Sequence, residues 1–477
     1  MTDDRPDESQ RPRETERVLD PSNLDSARHQ YVERFEELLE SGDEAGLRQL
    51  ASELSPGDLS EILRPFSVEE TVKVLRQLEP EPLAEVLTEI DARSTSAFFT
   101  LLDHDEIADI LEEMPSDEAA DIIGELDEES QQAVLEAMEA DEAKDVADLL
   151  RYPPESAGGI MGKEVLTAGD GQTCGEAVAV LRQHDQDELA EMHFVFVLDE
   201  RERLVGRVPL FRLLLAAPSR PITEIMETDP LYVEVDLDQE DVAQFMMTHD
   251  LISLPVLDHR QRLVGRITAD DVMDVLEEEA TEDISRMAGV SVTEFGEQSP
   301  ARVARSRLPW LLGGMCGEIG AILVLKHFNH SLESMVALAF FIPIIMATAG
   351  NVGIQASSVV VRGLATGEVH VARVGRHMLR ELGTALLIGF AVGVALFVVC
   401  TLVEQNTSLG LVLALAMMTV VMFAAVVGTG IPLLLHRFGV DPAVATGPFI
   451  TTTNDFFGLM IYLGLATLLL GLGGSGS

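Results

Sequence analysis

PIIMATAGNVGIQASSVVVRGLATGE, Pro343 to Glu368, decides how the rest of the chain is read. It lies in a long hydrophobic run, yet Thr348, Asn351, Gln355 and Ser358 recur at spacings of three and four, which puts them on one face of a helix. Pro343, Gly350 and Gly353 supply a kink and small surfaces for a close neighbour, where loosened backbone carbonyls can face a wet cavity instead of lipid. Two readings are open from this stretch alone: a pore lining, or small and polar residues that only hold helices together.

A second stretch favours the pore. In GPFITTTNDFFGLMIYLGLATLLL, Gly447 to Leu470, Asp455 is the only charged residue, and Thr451, Asp455, Gly458 and Tyr462 share a helical face. A carboxylate inside a bilayer costs at least about 2.5 kcal/mol, so it points into water or pairs with a base. No Lys or Arg lies deep in any apolar segment, so we expect Asp455 to face a water-filled path. Glu318, beside Gly317 in the first apolar segment, is its rival, but an interfacial position suits it equally well.

Charge divides the chain. It has 477 residues and a net charge of −48, with 33 Lys and Arg against 81 Asp and Glu, of which only nine and seven lie beyond residue 300. The front half is therefore strongly acidic and soluble, which argues against nucleic acid as a partner and for cations. A surface adapted to high salt would look the same, and Lys is scarce beside Arg, so only placed acidic clusters count towards function. Cys174, Cys316 and Cys400 stand far apart and form neither a metal-ligand spacing nor a disulfide framework. The polar N-terminus lacks an apolar core, so the first membrane helix is expected to serve for targeting.

In chain order, residues 1–30 read as a disordered acidic tail. Over 31–152, Leu54, Phe66, Leu78, Ile90, Leu102, Met114, Leu126 and Met138 stand twelve apart, and each opens a unit of one short helix and a turn. In MPSDEAADII, Ser116 suits the N-cap. Units this short cannot bury their faces alone and are expected to stack as an α-solenoid. Two α/β segments follow, 153–218 and 219–275, in which Val197–Val208 and Val256–Ile267 are near copies, led in by Gly159-Ile160-Met161 and Pro221-Ile222-Thr223-Glu224-Ile225-Met226. Residues 276–306 form a connecting helix, foreshadowed by an amphipathic run with acidic Asp271, Asp274, Glu278, Glu282 and Asp283 and apolar Val272, Val275, Leu276 and Ile284. Five apolar segments within 307–472 are each long enough to cross a hydrocarbon core of about 30 Å. Arg302, Arg305, Arg307, Arg362, Arg373, Arg376, Arg380 and Arg437 flank them on one side and Lys326 on the other, which predicts a cytoplasmic N-terminal half and an outside C-terminus. Residues 473–477 read as a linker-like remnant.

The tandem copies resemble cystathionine-β-synthase (CBS) domains, regulatory modules that often bind adenine nucleotides. A nucleotide-type ending is present in the second copy as Gly265, Thr268 and Asp271, whereas the first has Val208-Pro209-Leu210. The whole arrangement resembles the MgtE family of magnesium channels over about residues 35–472. The residues that carry the likeness are Pro343, Gly350, Asn351, Gly353 and Gln355, the VVRGLATGE that follows, the GVDPAVATGPFITT run from Gly439, and Asp455.

That resemblance implies a multidomain fold: a cytosolic α-solenoid, tandem α/β CBS domains, an amphipathic connecting helix and a five-helix transmembrane α-bundle. It implies a homodimer in the lipid bilayer of the plasma membrane, with Asp455 and Asn351 contacting the permeating ion and Thr348, Gln355, Ser358 and Thr451 lining the path. It implies regulatory magnesium on Asp117, Glu118 and Asp121, on Asp238, Glu240 and Asp250, and on Asp271, Asp274, Glu279, Glu282 and Asp283. ATP is implied at the CBS pair, near Thr268 and Asp271. The chemistry agrees, because Mg²⁺ is a hard cation that takes oxygen ligands and keeps its waters, whereas soft-metal ligands are lacking. Transport of Co²⁺, Mn²⁺ or Ni²⁺, and a nucleotide-sensing scaffold without transport, are the alternatives. A metalloprotease would need a His-Glu-x-x-His helix, which the sequence lacks.

Overall fold

A computed structural model describes residues 21–90, 92–183, 192–291, 299–366, 369, 374–445 and 447–472. The tail through residue 20, Arg373 and the linker-like 473–477 lie outside them. Two compact units emerge, one holding residues up to Leu237 with Ser253–Ile267, the other Asp238–Ile252 with everything from Thr268.

The first unit opens with ten helices: α1 (Pro21–Ser41), α2 (Glu44–Ser52), α3 (Pro56–Leu63), α4 (Val68–Leu75), α5 (Pro80–Glu89), α6 (Ala92–Phe99), α7 (His104–Leu111), α8 (Ser116–Gly124), α9 (Glu128–Ala137) and α10 (Ala140–Leu149). From α3 onward each begins twelve residues after the last, as the repeat predicts. A helix of eight to ten residues is marginal alone. Here helices two apart in sequence pack together, α3 on α5, α5 on α7 and α7 on α9, and bury Leu59, Val86, Leu111 and Val134. Caps hold the turns: Asp103 accepts from the Glu106 N–H at 3.0 Å while Glu106 reaches back to the Asp103 N–H at 3.1 Å, the reciprocal box that satisfies orphan helix donors. Two expectations fail here. Residues 21–30 are helical in α1, which starts on Pro21 and is anchored by the fully buried Phe35. Ser116 is the first helical residue rather than the cap; its hydroxyl accepts from the Lys163 N–H at 2.8 Å and its own N–H donates to Glu164 at 3.0 Å.

The same unit carries two small sheets. The first copy runs β1 (Thr167–Gly169), α11 (Cys174–Leu181), β2 (Phe194–Leu198), β3 (Leu204–Pro209) and α12 (Leu210–Leu215), and its sheet has the order β1-β2-β3-β4, with β4 at Glu227–Thr228. The second sheet is β5 (Val233–Glu234), followed beyond α13 (Gln239–Thr248) by β6 (Ser253–Leu257) and β7 (Leu263–Thr268). The near copies fold alike: Asp199 and Asp258 each gather two backbone N–H groups and the guanidinium of Arg203 or Arg262 into one turn. The Arg203 guanidinium holds the Asp199 carboxyl down at about 2.

The lead-in of each copy completes the other's sheet. Glu227, from the lead-in of the second copy, pairs with Arg207 of the first, and Gly162, from the lead-in of the first, bridges Arg266 of the second. The repeated glycines make this approach fit, since a Cβ on Gly206 would sit 2.7 Å from Met226 sulfur and one on Gly265 2.7 Å from the Gly162 carbonyl.

In the second unit α14 (Ala269–Ala288) ends at Gly289, whose left-handed φ of 70° favours a residue without a Cβ. The expected connecting helix 276–306 is therefore shorter and earlier, and residues 300–306 belong to the first membrane helix. Val272 and Val275 are buried as expected, but Ile284 is exposed. Then come α15 (Pro300–His327), α16 (Asn329–Ser334), α17 (Ala337–Ala365), α18 (Val374–Glu404), α19 (Thr407–Arg437) and α20 (Gly447–Leu469). Five of them, all but α16, are long and apolar enough to cross a membrane. Their core centres on α19, where Met417, Val420, Val421 and Ala424 are fully buried, while Leu387, Phe390, Leu402 and Val403 of α18 face outward as lipid-facing residues do.

We expect Gly265→Val to lower stability by about 1–3 kcal/mol, because the added methyls overpack the sheet edge. Gly57→Ala, in open space on α3, should raise it by about 0.5 kcal/mol. Thermal unfolding of the two variants should therefore shift in opposite directions.

Candidate functional site

The polar stripe of α17 is not buried in the chain. Asn351 and Gln355 are exposed and Thr348 and Ser358 half-buried, whereas Ala349, Val352, Gly353 and Ala356 on the other side are packed against neighbours. The small residues and the polar ones thus have separate jobs. A Cβ on Gly353 would collide with the Asn454 amide of α20, and one on Gly428 of α19 would collide with the Gly353 carbonyl, so this crossing exists only with glycine at both positions. Helix-to-helix contact explains Gly353, but not Asn351 or Gln355.

Asn454, beside Asp455, is a residue that the sequence does not single out. It is fully buried, and its Nδ2 donates to the Ala349 carbonyl at 3.4 Å, tying α20 to the stripe helix. Tyr462 does the same two turns on, donating to the Leu338 carbonyl at 2.8 Å. The expected face of α20 therefore divides: Gly458 and Tyr462 enter the core, while Thr451 and Asp455 stay half-exposed. The Thr451 hydroxyl turns back onto the Gly447 and Pro448 carbonyls.

Asp455 and Glu318, set against each other as rivals by the sequence, lie beside one another. Glycines of α15 allow it, since a Cβ on Gly317 would collide with Thr452 and one on Gly320 would sit 2.9 Å from Phe456. Two carboxyl groups at membrane depth, beside a helix with exposed amide side chains, make a place for a hydrated cation.

A second acidic locus surrounds α14. Asp238 caps α13 by accepting from the Glu240 N–H at 3.0 Å, which places Glu240 in the first turn, and Gln239 donates to Glu279 at 2.7 Å. Glu240, Glu279 and Asp283 thereby face one another. Glu240 is pushed up to about 7, first by partial burial and then by Glu279 and Asp283; Asp283 is pushed up to about 6 by burial, Asp441 and Glu279. Asp441, in the loop before α20, is the member the sequence reading missed; only its place in the GVDP run marked it. The remaining acids are dispersed. Asp117, Glu118 and Asp121 lie on α8 of the first unit, Asp250 is exposed just past α13, and Asp274 follows one turn into α14. Asp271 accepts from the Thr268 N–H at 2.7 Å and its hydroxyl at 2.8 Å, so both residues proposed for nucleotide bind each other at the start of α14.

Among the described residues no three of His, Cys, Asp and Glu converge as a ready metal shell. The Glu240 and Asp283 carboxyls, raised first by burial and then by their acidic neighbours, form a site that gains from added positive charge.

The molecule is similar to known transporters. A family model described as a divalent cation transporter matches residues 342–465, one for the MgtE intracellular N domain matches 54–155, and one for the CBS domain matches 222–278. The magnesium transporter MgtE of Thermus thermophilus is 37% identical over 327 residues, 68% of this chain and 72% of that protein. That of Enterococcus faecalis is 36% identical over 324 residues, 68% and 71% of the two chains. A solved cytosolic domain of the Mg²⁺ channel MgtE in complex with ATP shares 32% identity and a TM-score of 0.47, covering 51% of this chain and 99% of that one.

The raised acids set a pH dependence. Glu240 and Asp283 hold protons more tightly folded than unfolded, so their contribution to stability is present at acidic pH and lost as pH rises through about 6 to 7. Without divalent cations, unfolding of the detergent-solubilised chain should come at lower temperature at pH 8 than at pH 5.5. Added Mg²⁺ should recover most of the loss at pH 8 and little at pH 5.5, and the double variant Glu240→Gln, Asp283→Asn should flatten both responses.

Proposed function

Because the chain belongs to the MgtE family of divalent cation transporters, we propose that Mg²⁺ crosses the membrane along the face shared by α17 and α20, with Asp455 and Asn351 as its principal contacts. It is a multi-pass membrane protein with a cytosolic N-terminal domain, and its relatives are magnesium transporters, not enzymes. The observation that carries the proposal is the polar stripe of Thr348, Asn351, Gln355 and Ser358, in which Asn351 and Gln355 are exposed. Polar side chains on an open face of a membrane helix need water or a polar neighbour, since lipid offers neither. A homodimer supplies one, by turning two such faces to a common axis in the plasma membrane, with the C-terminus outside. The exposed apolar face of α12, with Phe211, Leu214 and Leu215, supports self-association of the CBS pair as well.

Cytosolic Mg²⁺ closes the path. The repelling acids of α13, α14 and Asp441 support this, because a cation that neutralises them favours the arrangement in which they lie together. Asp117, Glu118 and Asp121 of the solenoid join that set in the closed state, and ATP at the CBS pair adjusts it.

Isotope flux into proteoliposomes tests the pore. Asp455→Asn should lower Mg²⁺ influx at least about tenfold with expression unchanged, because the substitution keeps an oxygen ligand and removes the charge. Glu318→Gln should have the smaller effect. Full flux through Asp455→Asn would place the selective contact elsewhere. Mg²⁺ should also slow proteolysis of the cytosolic half at fixed, high Na⁺, a condition under which general charge screening is already complete.

A further inference from the structure

The Arg286 guanidinium lies between two carboxylates at the end of α14. One terminal nitrogen pairs with Glu282, a turn earlier on the same helix, and the other with Asp441 of the loop that leads into α20. The loop is shaped for this contact: the second Asp441 oxygen accepts from the Ala443 N–H at 2.7 Å. The helix end is seated there too, since a Cβ on Gly447 would lie 2.8 Å from the Met287 carbonyl, and Pro448 packs 3.7 Å from the Cβ position of Gly289. Among the described residues Glu240, Glu279 and Asp283 also face this end of α14, with Asp238 and Asp241 beside Glu240, and all are acids.

We propose that Arg286 is a tethered cation that occupies the Glu282–Asp441 pair when no divalent ion does, and so sets the Mg²⁺ concentration at which the ion takes that pair over. This rests on the reading of the acidic locus as a magnesium sensor. A guanidinium brings one charge and five donors in a fixed fork, enough to hold two carboxylates in place, but it leaves the surrounding acids uncompensated. A hydrated divalent cation brings twice the charge to the same oxygens. The two therefore compete, and the arginine does two things at once: it keeps α14 on the loop at low Mg²⁺, and it delays capture of Mg²⁺ as the concentration rises. Because the counter-ion is covalently attached, its effective concentration is fixed by geometry and does not follow the cell's ionic strength.

The test uses the full chain in detergent at fixed ionic strength and reads cleavage by chymotrypsin, whose sites do not include Arg286. In the parent protein Mg²⁺ should slow cleavage with a measurable midpoint. Arg286→Gln should be cleaved at least about threefold faster without Mg²⁺, and its midpoint should fall at least about threefold, the scale of a partly exposed ion pair. Arg286→Lys, a single-point donor that keeps the charge, should fall between the two on both measures. A midpoint for Arg286→Gln equal to or above the parent's overturns the proposal. Should Arg286→Gln fail to give a monodisperse protein, Arg286→Lys decides alone, and a midpoint unchanged or raised overturns it. A parent that Mg²⁺ does not protect at all would instead sink the sensor reading on which the proposal stands.

Discussion

The crossing of α17, α19 and α20 at Gly353 is the constraint on which the membrane half depends. No side chain fits there: Asn454 reaches one face of Gly353 and Gly428 the other. In lipid there is no hydrophobic force to bring helices together, so small residues that allow backbones to meet, and a few buried hydrogen bonds, must do it. The Asn454 and Tyr462 bonds to α17 carbonyls fix both the depth and the rotation of α20. Those two settings decide where Asp455 points. Had α20 been held by apolar packing alone, a rotation by one residue would carry the carboxyl into the core, where a lone charge is very costly.

Charge plays the opposite part outside the membrane. The front half carries so much negative charge that compactness there works against repulsion, and at Glu240 and Asp283 partial burial and then the neighbouring acids raise the carboxyls towards neutral pH. Protons, Arg286 and a divalent cation are three ways of relieving the same strain. They differ in charge, in how firmly they are attached and in what controls their supply. A region stabilised by whichever cation is at hand is well suited to report on cation concentration.

What could be read from the sequence was what repeats. The twelve-residue spacing located eight helix starts, and the two near copies located two sheets, because each signal is local and periodic. The polar stripe and Asp455 were visible because a polar residue in an apolar run stands out. Contacts between distant segments were not visible. Nothing near Gly159-Ile160-Met161 says that it completes the sheet of the copy a hundred residues later, nothing near Glu318 says that it meets Asp455, and Asn454 beside an aspartate reads as a bystander. The end of the connecting helix was misplaced because Gly289 was not weighed as a stop signal, although a glycine after a run of good helix formers is a common one.

One continuous set of contacts joins the acidic locus to the membrane carboxyls. Arg286 holds Asp441; Met287 and Gly289 rest on Gly447 and Pro448, the first turn of α20; Thr452, one turn further, fills the space left by Gly317 of α15; and Glu318, the next residue, meets Asp455. Continuity of this kind does not by itself establish coupling, which needs an element with two arrangements that both ends bias. The first turn of α20 has the properties of such an element. It begins on a glycine of positive φ followed by a proline, and the Thr451 hydroxyl adds its own bonds to the Gly447 and Pro448 carbonyls. A first turn braced by a side chain and by the seat of another helix is where a change of a few kcal/mol at Asp441 can become a displacement near Asp455.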